Sequence, residues 1–351
     1  MSSSATVTPL RVRVVEVIRE TADAHTLVLE PEGEDRTRFS YKPGQFLTIR
    51  IPSDRDGGAA RCYSLCSTPV HDEKLKVTVK RTREGYGSNW LCDNAVEGNL
   101  LEVLRPAGTF TPRSLTDDFL LFAGGSGITP VMSILKSALA AGTGLITLVY
   151  ANQDEGSVIF RDELIALSKA HPGRLTVIHW LGTVQGLPDA AALGALSAPY
   201  TGREVFICGP GPFMDCVGTA LETLGMPPEQ IHIERFASLG TDPFAPVEVL
   251  ETVVSDDPGT GTVVDVQLDG VSSTVPWSGG NRLLDVLLNA GLDAPYSCRE
   301  GSCSACTCRV LQGEVRMERN EVLDAADLKE GYVLACQAVP VSGPVRITYD
   351  E

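Results

Sequence analysis

Cys298, Cys303 and Cys306 fall within one short stretch, and Cys336 follows at the end of an apolar run. Their Cys-x4-Cys-x2-Cys…Cys spacing is the pattern that holds a 2Fe-2S cluster. Thiolates suit that chemistry because soft sulfur stabilises iron bridged by sulfide, whereas hard oxygen ligands select magnesium or calcium. The residues between them include Gly301, Ser302, Ser304 and Ala305, small enough for a loop to wrap closely around a cluster. Zinc is the alternative occupant, although its sites usually show paired Cys-x2-4-Cys units. Cys308 reads as a strand residue packing like a small hydrophobe. The chemistry expected here is the carriage of single electrons.

Two glycine-rich turns suggest a second site. Ala123-Gly-Gly-Ser-Gly-Ile-Thr-Pro130 follows an apolar strand and opens a helix, with Pro130 suited to the first helical turn. Gly124, Gly125 and Gly127 permit close backbone approach, and free amides at the helix start would face a pyrophosphate. Cys208-Gly-Pro-Gly-Pro-Phe-Met214 likewise ends a strand and begins a helix. Both turns belong to the carboxyl edge where doubly wound sheets bind ligands.

The elements that must position these residues change character along the chain. Short alternating runs such as 46–51 and 75–80, broken by Pro43-Gly44 and Gly57-Gly58, predict an antiparallel β-barrel over residues 9–114. Apolar strands at 119–123, 145–151, 175–180 and 204–208 alternate with helical stretches at 131–141 and 189–197, which predicts an α/β doubly wound parallel sheet over 115–238. Prolines, acidic residues and glycines without periodicity mark 239–261 as a linker. Residues 262–351 then form a small domain, with a helix at 282–290 preceding the cysteine loop.

The 351 residues allow several domains, each with its own core. A net charge of −16 repels phosphate backbones, so nucleic acid is not an expected partner. Met1 to Leu10 contains no apolar stretch like a signal peptide, and no later run would span a bilayer. The ten cysteines cluster in motifs within a long chain rather than forming a secreted disulfide framework. The expected location is the cytoplasm, with no membrane insertion.

Arg61-Cys-Tyr-Ser64, Gly-Gly-x-Gly-Ile-Thr-Pro at 124–130 and Cys208-Gly-Pro carry a resemblance to the ferredoxin–NADP reductase superfamily. With a plant-type ferredoxin following, the chain resembles reductase components of multicomponent oxygenases. Ala60-Arg-Cys-Tyr-Ser-Leu-Cys66, Ser88-Asn-Trp-Leu-Cys92, His179-Trp-Leu and Gln185-Gly-Leu-Pro188 most resemble the reductases of 3-ketosteroid 9α-hydroxylases; reductases of phenylacetyl-CoA epoxidases share the domain order. The resemblance implies three domains: a β-barrel binding FAD, an α/β domain binding NAD, and an α+β domain of β-grasp type holding the cluster.

It also implies roles. Arg61 would pair with the flavin pyrophosphate, which a forked guanidinium suits. Tyr63 would lie against the isoalloxazine and Ser64 near flavin N5, while Gly87, Ser88 and Asn89 would cradle phosphates. Thr129 and Cys208, with Gly209 and Pro210 beside them, would flank the nicotinamide, Glu234 would lie near the reacting carbon, and Phe236 would shield the flavin. Ser64, Thr129, Cys208 and Glu234 form the expected catalytic set. The segment 181–202, where relatives of this kind bind the NADPH 2′-phosphate, contains no Lys or Arg. NADH is therefore the expected donor, with Gly182, Thr183 and Gln185 near the adenosine ribose.

The implied activity is a relay from NADH through FAD and the 2Fe-2S cluster to a terminal oxygenase, expected to be of Rieske type and to serve steroid catabolism. An acid-rich ferredoxin domain would steer toward a basic patch on that partner. A non-enzymatic iron–sulfur redox sensor is the alternative reading. One departure stands out: ferredoxin loops commonly read Cys-Gly-Ala-Cys, whereas this chain has Ser304 in place of the glycine.

Overall fold

Strand alternation builds the first domain. The computed structural model describes residues 9–33, 36–53, 59–236, 238–245, 261–278 and 280–350. Strands β1 (Leu10–Arg19), β2 (Ala24–Pro31), β3 (Phe46–Ile51), β4 (Ala59–Ser64), β5 (Leu75–Lys80) and β6 (Leu100–Val103) form an antiparallel sheet in the order β4-β3-β6-β1-β2-β5. A bridge between Leu65 and Val77 brings its two ends together. Inward residues such as Val12, Val14, Leu27, Leu47, Ile49 and Val77 are almost wholly buried, as period-2 patterning requires. Helix α1 (Tyr86–Asn94), which follows β5 in the chain, packs on the barrel against β3, β4 and β5.

The second domain is a five-stranded parallel sheet of β7 (Phe119–Gly124), β8 (Ile146–Asn152), β9 (Leu175–Leu181), β10 (Glu204–Cys208) and β11 (Ile231–Glu234), ordered β11-β10-β7-β8-β9. Helices α2 (Ile128–Ala141), α3 (Arg161–Ala170), α4 (Gly182–Gln185), α5 (Ala190–Ser197) and α6 (Gly211–Thr223) connect the strands. Apolar clusters cover both faces, which is why β7 is buried at every residue. Strand order reverses between β7 and β10, so the two glycine turns meet at the switch point. Helix α2 starts three residues before its sequence-based start, because Pro130 is accommodated within the first turn. Asp189 lies outside α5 and caps it, accepting from the Ala192 amide.

The third domain contains β12 (Gly261–Leu268), β13 (Val271–Ser278), α7 (Leu283–Asn289), β14 (Thr307–Met317), α8 (Ala325–Lys329), β15 (Tyr332–Leu334) and β16 (Ala338–Thr348). Its sheet order is β13-β12-β16-β14-β15, with β12 and β16 parallel and the other neighbours antiparallel. Helix α7 buries Leu283, Leu284 and Leu287 near Trp277, completing a β-grasp. The four-cysteine segment runs from the end of α7 into β14 and β15.

Most of the expected linker, 246–260, lies outside the described residues. The described part is packed: Thr241 Oγ1 donates to the Cys298 carbonyl at 2.9 Å, and Tyr296 OH donates to the Pro243 carbonyl at 3.1 Å. The third domain also meets the barrel directly. Arg105 binds Asp269 and Asp293, Arg38 binds Asp293, and Leu104 joins the ferredoxin core. No described helix is long and apolar enough to cross a membrane.

Candidate functional site

The loop from Cys298 to Cys306 achieves its tight path through left-handed backbone at Arg299, Gly301 and Ser304, with φ of 58°, 83° and 55°. It brings four sulfurs together: Cys298 faces Cys303 and Cys336, and Cys336 faces Cys306. Each sulfur accepts an N–H. The Glu300 and Ser302 amides point at Cys298 at 3.3 and 3.4 Å, the Cys298 amide at Cys303 at 3.3 Å, and the Cys336 amide at Cys306 at 3.4 Å. Gln337 Nε2 points at Cys336 at 3.5 Å. Hydrogen bonds from Cys303 and Cys336, then from these amides, hold the Cys298 thiol well below its ordinary range. Four gathered sulfurs with N–H donors directed at them are what a cysteine-ligated cluster needs, so the residues fit one. No group of three or more such side chains among the described residues surrounds a single-ion position. The four-sulfur assignment to a cluster therefore rests on spacing and these donors. Cys308 lies buried in β14, as expected of a packing residue.

Strand β4 presents Arg61 and Tyr63 on the face it shares with Leu47 and Ile49, and Cys62 and Ser64 on the other. Arg61 and Tyr63 lie under the start of α1. A Cβ added at Gly87 would come within 2.8 Å of Arg61 Cγ and 3.7 Å of Tyr63 OH. This bare backbone over the Arg61 side chain, whose guanidinium donates to the Ala60 carbonyl at 2.6 Å, lies at a helix N-terminus without a side-chain cap and is a cradle that fits a flavin pyrophosphate. Ser88 and Asn89 have their side chains engaged in the turn: Ser88 Oγ accepts from the Thr82 amide, and Asn89 Nδ2 donates to the Thr82 carbonyl. What Ser88 can offer a phosphate is its backbone N–H, whereas the Asn89 amide already donates to the Gly85 carbonyl at 3.4 Å. Ser64 is buried at the end of β4.

The two glycine turns interlock. A Cβ at Gly127 would lie 2.1 Å from the Cys208 carbonyl oxygen, one at Gly124 would lie 2.8 Å from Pro210 Cδ, and one at Gly209 would lie 2.9 Å from the Gly124 amide nitrogen. Between the turns opens a cleft of about 530 Å³ lined by Gly124, Gly125, Ser126, Gly209, Pro210 and Met214, with Phe236 and two cations at its margin. Its glycine walls and its place at the switch point fit a dinucleotide. Phe236 is half exposed there.

Other expected residues lie behind the cleft or outside it. Thr129 is buried, its hydroxyl donating to the Ser126 carbonyl at 3.0 Å. Cys208 is fully buried, and burial, followed by the nearby Glu234, pushes its thiol well above the ordinary value. It has neither the exposure nor the lowered pKa of a reactive thiol. Glu234 pairs with Cys208 across the β10–β11 register, and burial pushes its carboxyl up to about 8. Gly182, Thr183 and Gln185 form the turn after β9. Gln185 Oε1 accepts from the Leu181 amide, and the Thr183 amide donates to the Gln153 carbonyl. None of these three lines the cleft.

The sequence reading missed Lys80, Ser126, Gly211, Met214 and Arg235 on the cleft wall. Ser126 and Gly211 sit inside the quoted turns and could have been taken with them. Lys80 closes a barrel strand and pairs with Asp23, while Arg235 pairs with Asp215. Only docking of the barrel against the parallel sheet brings those two cations to one opening.

Three family models match in chain order: an oxidoreductase FAD-binding domain over residues 11–111, an oxidoreductase NAD-binding domain over 121–219, and a 2Fe-2S iron-sulfur cluster binding domain over 266–341. The chain is 57% identical over 345 residues to the "3-ketosteroid-9-alpha-monooxygenase, ferredoxin reductase component" of Mycolicibacterium smegmatis, covering 97% of each chain. It is 34% identical over 353 residues to a component of the 1,2-phenylacetyl-CoA epoxidase of Escherichia coli, covering 96% of each. Among solved structures, phthalate dioxygenase reductase matches with a TM-score of 0.58 and 25% identity over 97% of this chain and 98% of that one.

Proposed function

This chain belongs to the family of ferredoxin reductase components of 3-ketosteroid-9-alpha-monooxygenase, and from that premise we propose that it draws two electrons from NADH and delivers them singly to a Rieske-type oxygenase acting on a steroid. The 34% relative from a different oxygenase system is more distant, which favours the steroid partner. One observation carries the relay: β4 bears Ser64 and Cys62 on a single face, and Cys62 touches the segment that holds the four cysteines.

Bound flavin would accept a hydride and release electrons one at a time, matching a two-electron donor to a one-electron carrier. Arg61 and the first amides of α1 would hold the FAD pyrophosphate, leaving Tyr63 and Ser64 to orient the ring. The interlocked turns at Gly124, Gly125, Gly127, Gly209 and Pro210 would admit the dinucleotide backbone. Glu234 keeps its carboxyl largely protonated near neutral pH, so it presents a neutral hydrogen-bonding group where hydride is exchanged. Phe236 would exclude water from the ring until the nicotinamide displaces it. Thr129 and Cys208 shape the floor beneath. Cys298, Cys303, Cys306 and Cys336 would ligate iron, their amide donors favouring the added negative charge of the reduced state. We place the domain divisions at 114/115, 238/239 and 261/262.

NADH is favoured over NADPH because the turn after β9 offers no cation to a 2′-phosphate. Lys80 and Arg235 lie at the glycine cleft and are the cations a pyrophosphate would meet. Equal catalytic efficiency with NADPH and NADH would overturn that preference. The whole reading is tested by reconstituting FAD- and cluster-loaded protein with a steroid-hydroxylating Rieske oxygenase. NADH-dependent hydroxylation is expected, and iron whose oxidation state ignores added NADH would overturn it.

A further inference from the structure

Cys62 occupies the variable position of the Arg-x-Tyr-Ser motif and touches the four-cysteine segment, but the relay described above gives its side chain no role of its own. Its surroundings are specific. Thr48, directly opposite on β3, donates to Ser297 Oγ at 2.8 Å, and Cys62 Sγ lies 3.3 Å from that same oxygen and 3.6 Å from Thr48 Oγ1. Thr48 and Ser297 are each only 1% exposed. Ser297 immediately precedes the ligand Cys298. Cys62 and Cys303 each pack against one apolar cluster of Phe46, Ala107 and Ala305. One barrel side chain therefore meets the cluster loop beside its first cysteine and shares an apolar cluster with its second.

The opposite direction is equally informative. Ser64 is two residues along the same strand face, on the order of 7 Å by strand rise. Glu234 is close enough to act electrostatically on both Cys62 and Cys208. Cys62 thus stands between the hydride-exchange end of the molecule and the iron-binding loop. Buried polar contacts of this kind resist sliding, because separating them strands hydroxyls without partners. Salt bridges elsewhere on the seam, such as Arg105 to Asp269, are partly exposed and constrain position less.

We propose that Cys62, gripped by Thr48 and Ser297, is a positioning residue that seats the cluster loop against the flavin-binding strand and so sets the rate at which electrons pass to the cluster. The inference deepens the relay and rests on it. One NADH gives up a hydride and leaves as NAD⁺; its two electrons would go on to the cluster and its one proton would be released to solvent. The electrons cross this contact singly, each departing to a one-electron acceptor before the next arrives, and no covalent bond forms or breaks at Cys62.

The test uses full-length protein loaded with FAD and cluster, comparing the parent with Ser297→Ala, Thr48→Val, Cys62→Ala and the conservative Cys62→Ser. Rapid mixing with NADH separates flavin bleaching from the later bleaching of the iron–sulfur band. Flavin bleaching should be unchanged, while cluster reduction slows by about tenfold or more in the first three variants, since a small misplacement of reacting groups is costly. Cys62→Ser keeps a hydrogen-bonding group and should restore most of the rate. Deuterium exchange should quicken at the amides of residues 46–50 and 296–299, and the dithionite-reduced EPR signal should keep its intensity. Equal cluster-reduction rates in parent and variants overturn the proposal. So does loss of the dithionite signal, which would make the contact structural. A parent whose cluster is not reduced by NADH overturns the relay itself; a parent that relays alongside variants that relay equally well overturns only this inference.

Discussion

The cysteine loop and the dinucleotide cleft solve opposite problems. The loop gathers three of the four cysteines from nine consecutive residues and directs local amides at the sulfurs. The cleft draws its wall from β5, both glycine turns, α6 and the residues after β11, more than 150 positions apart. A cluster is held by directed bonds that demand fixed residue types at fixed spacing. An extended ligand is held by shape and open backbone, which many chain segments can supply. One site is written in local order, the other in tertiary approach.

The largest expected effect falls on the loop. Cys303→Ser should abolish the reduced-cluster EPR signal and the iron–sulfur absorption while leaving NADH-to-dye reduction in place. A retained signal would show that the loop does not depend on its local ligand set.

The cleft should break differently. Gly127→Ala would drive a Cβ into the Cys208 carbonyl, so backbone must move at a cost of about 1–3 kcal/mol. A lowered melting temperature and weaker NADH binding are expected by calorimetry. Gly211 borders the same cleft with open space around its Cα, and Gly211→Ala should leave melting nearly unchanged. Equal effects would mean that interlocking of the two turns is unimportant.

A smaller effect concerns Glu234. Its folded pKa, about 8, lies above the ordinary value of 4.5, so the folded state retains a proton that the unfolded state releases. Stability should therefore decline as pH rises from about 4.5 to about 8 and level off above that. Glu234→Gln should flatten this decline in urea titrations across that range; an unchanged slope would place the burial cost elsewhere.

The smallest effect returns to the loop. Ser304 adopts φ of 55°, a conformation that disfavours side chains, which explains why glycine is common at this position in ferredoxin loops. Ser304→Gly should relieve that strain. After the greater unfolded-state freedom of glycine is subtracted, the net gain is about 0.5–1 kcal/mol, read as a small rise in melting temperature.

Sequence by itself determined the order of the sheets, because alternating runs, buried apolar strands and turn residues are local consequences of strand pleat and helix period. It also marked out the four spaced cysteines and both glycine turns, since bond geometry and close backbone approach restrict residue type at each position. The tertiary structure alone decided which residues face the cleft: Lys80 and Arg235 entered it, while Cys208 and Thr129 were buried behind it. It alone set Cys62 against Ser297, a residue more than 230 positions away. The reason is physical: contacts between domains depend on how separately folded surfaces dock, and no local periodicity records that.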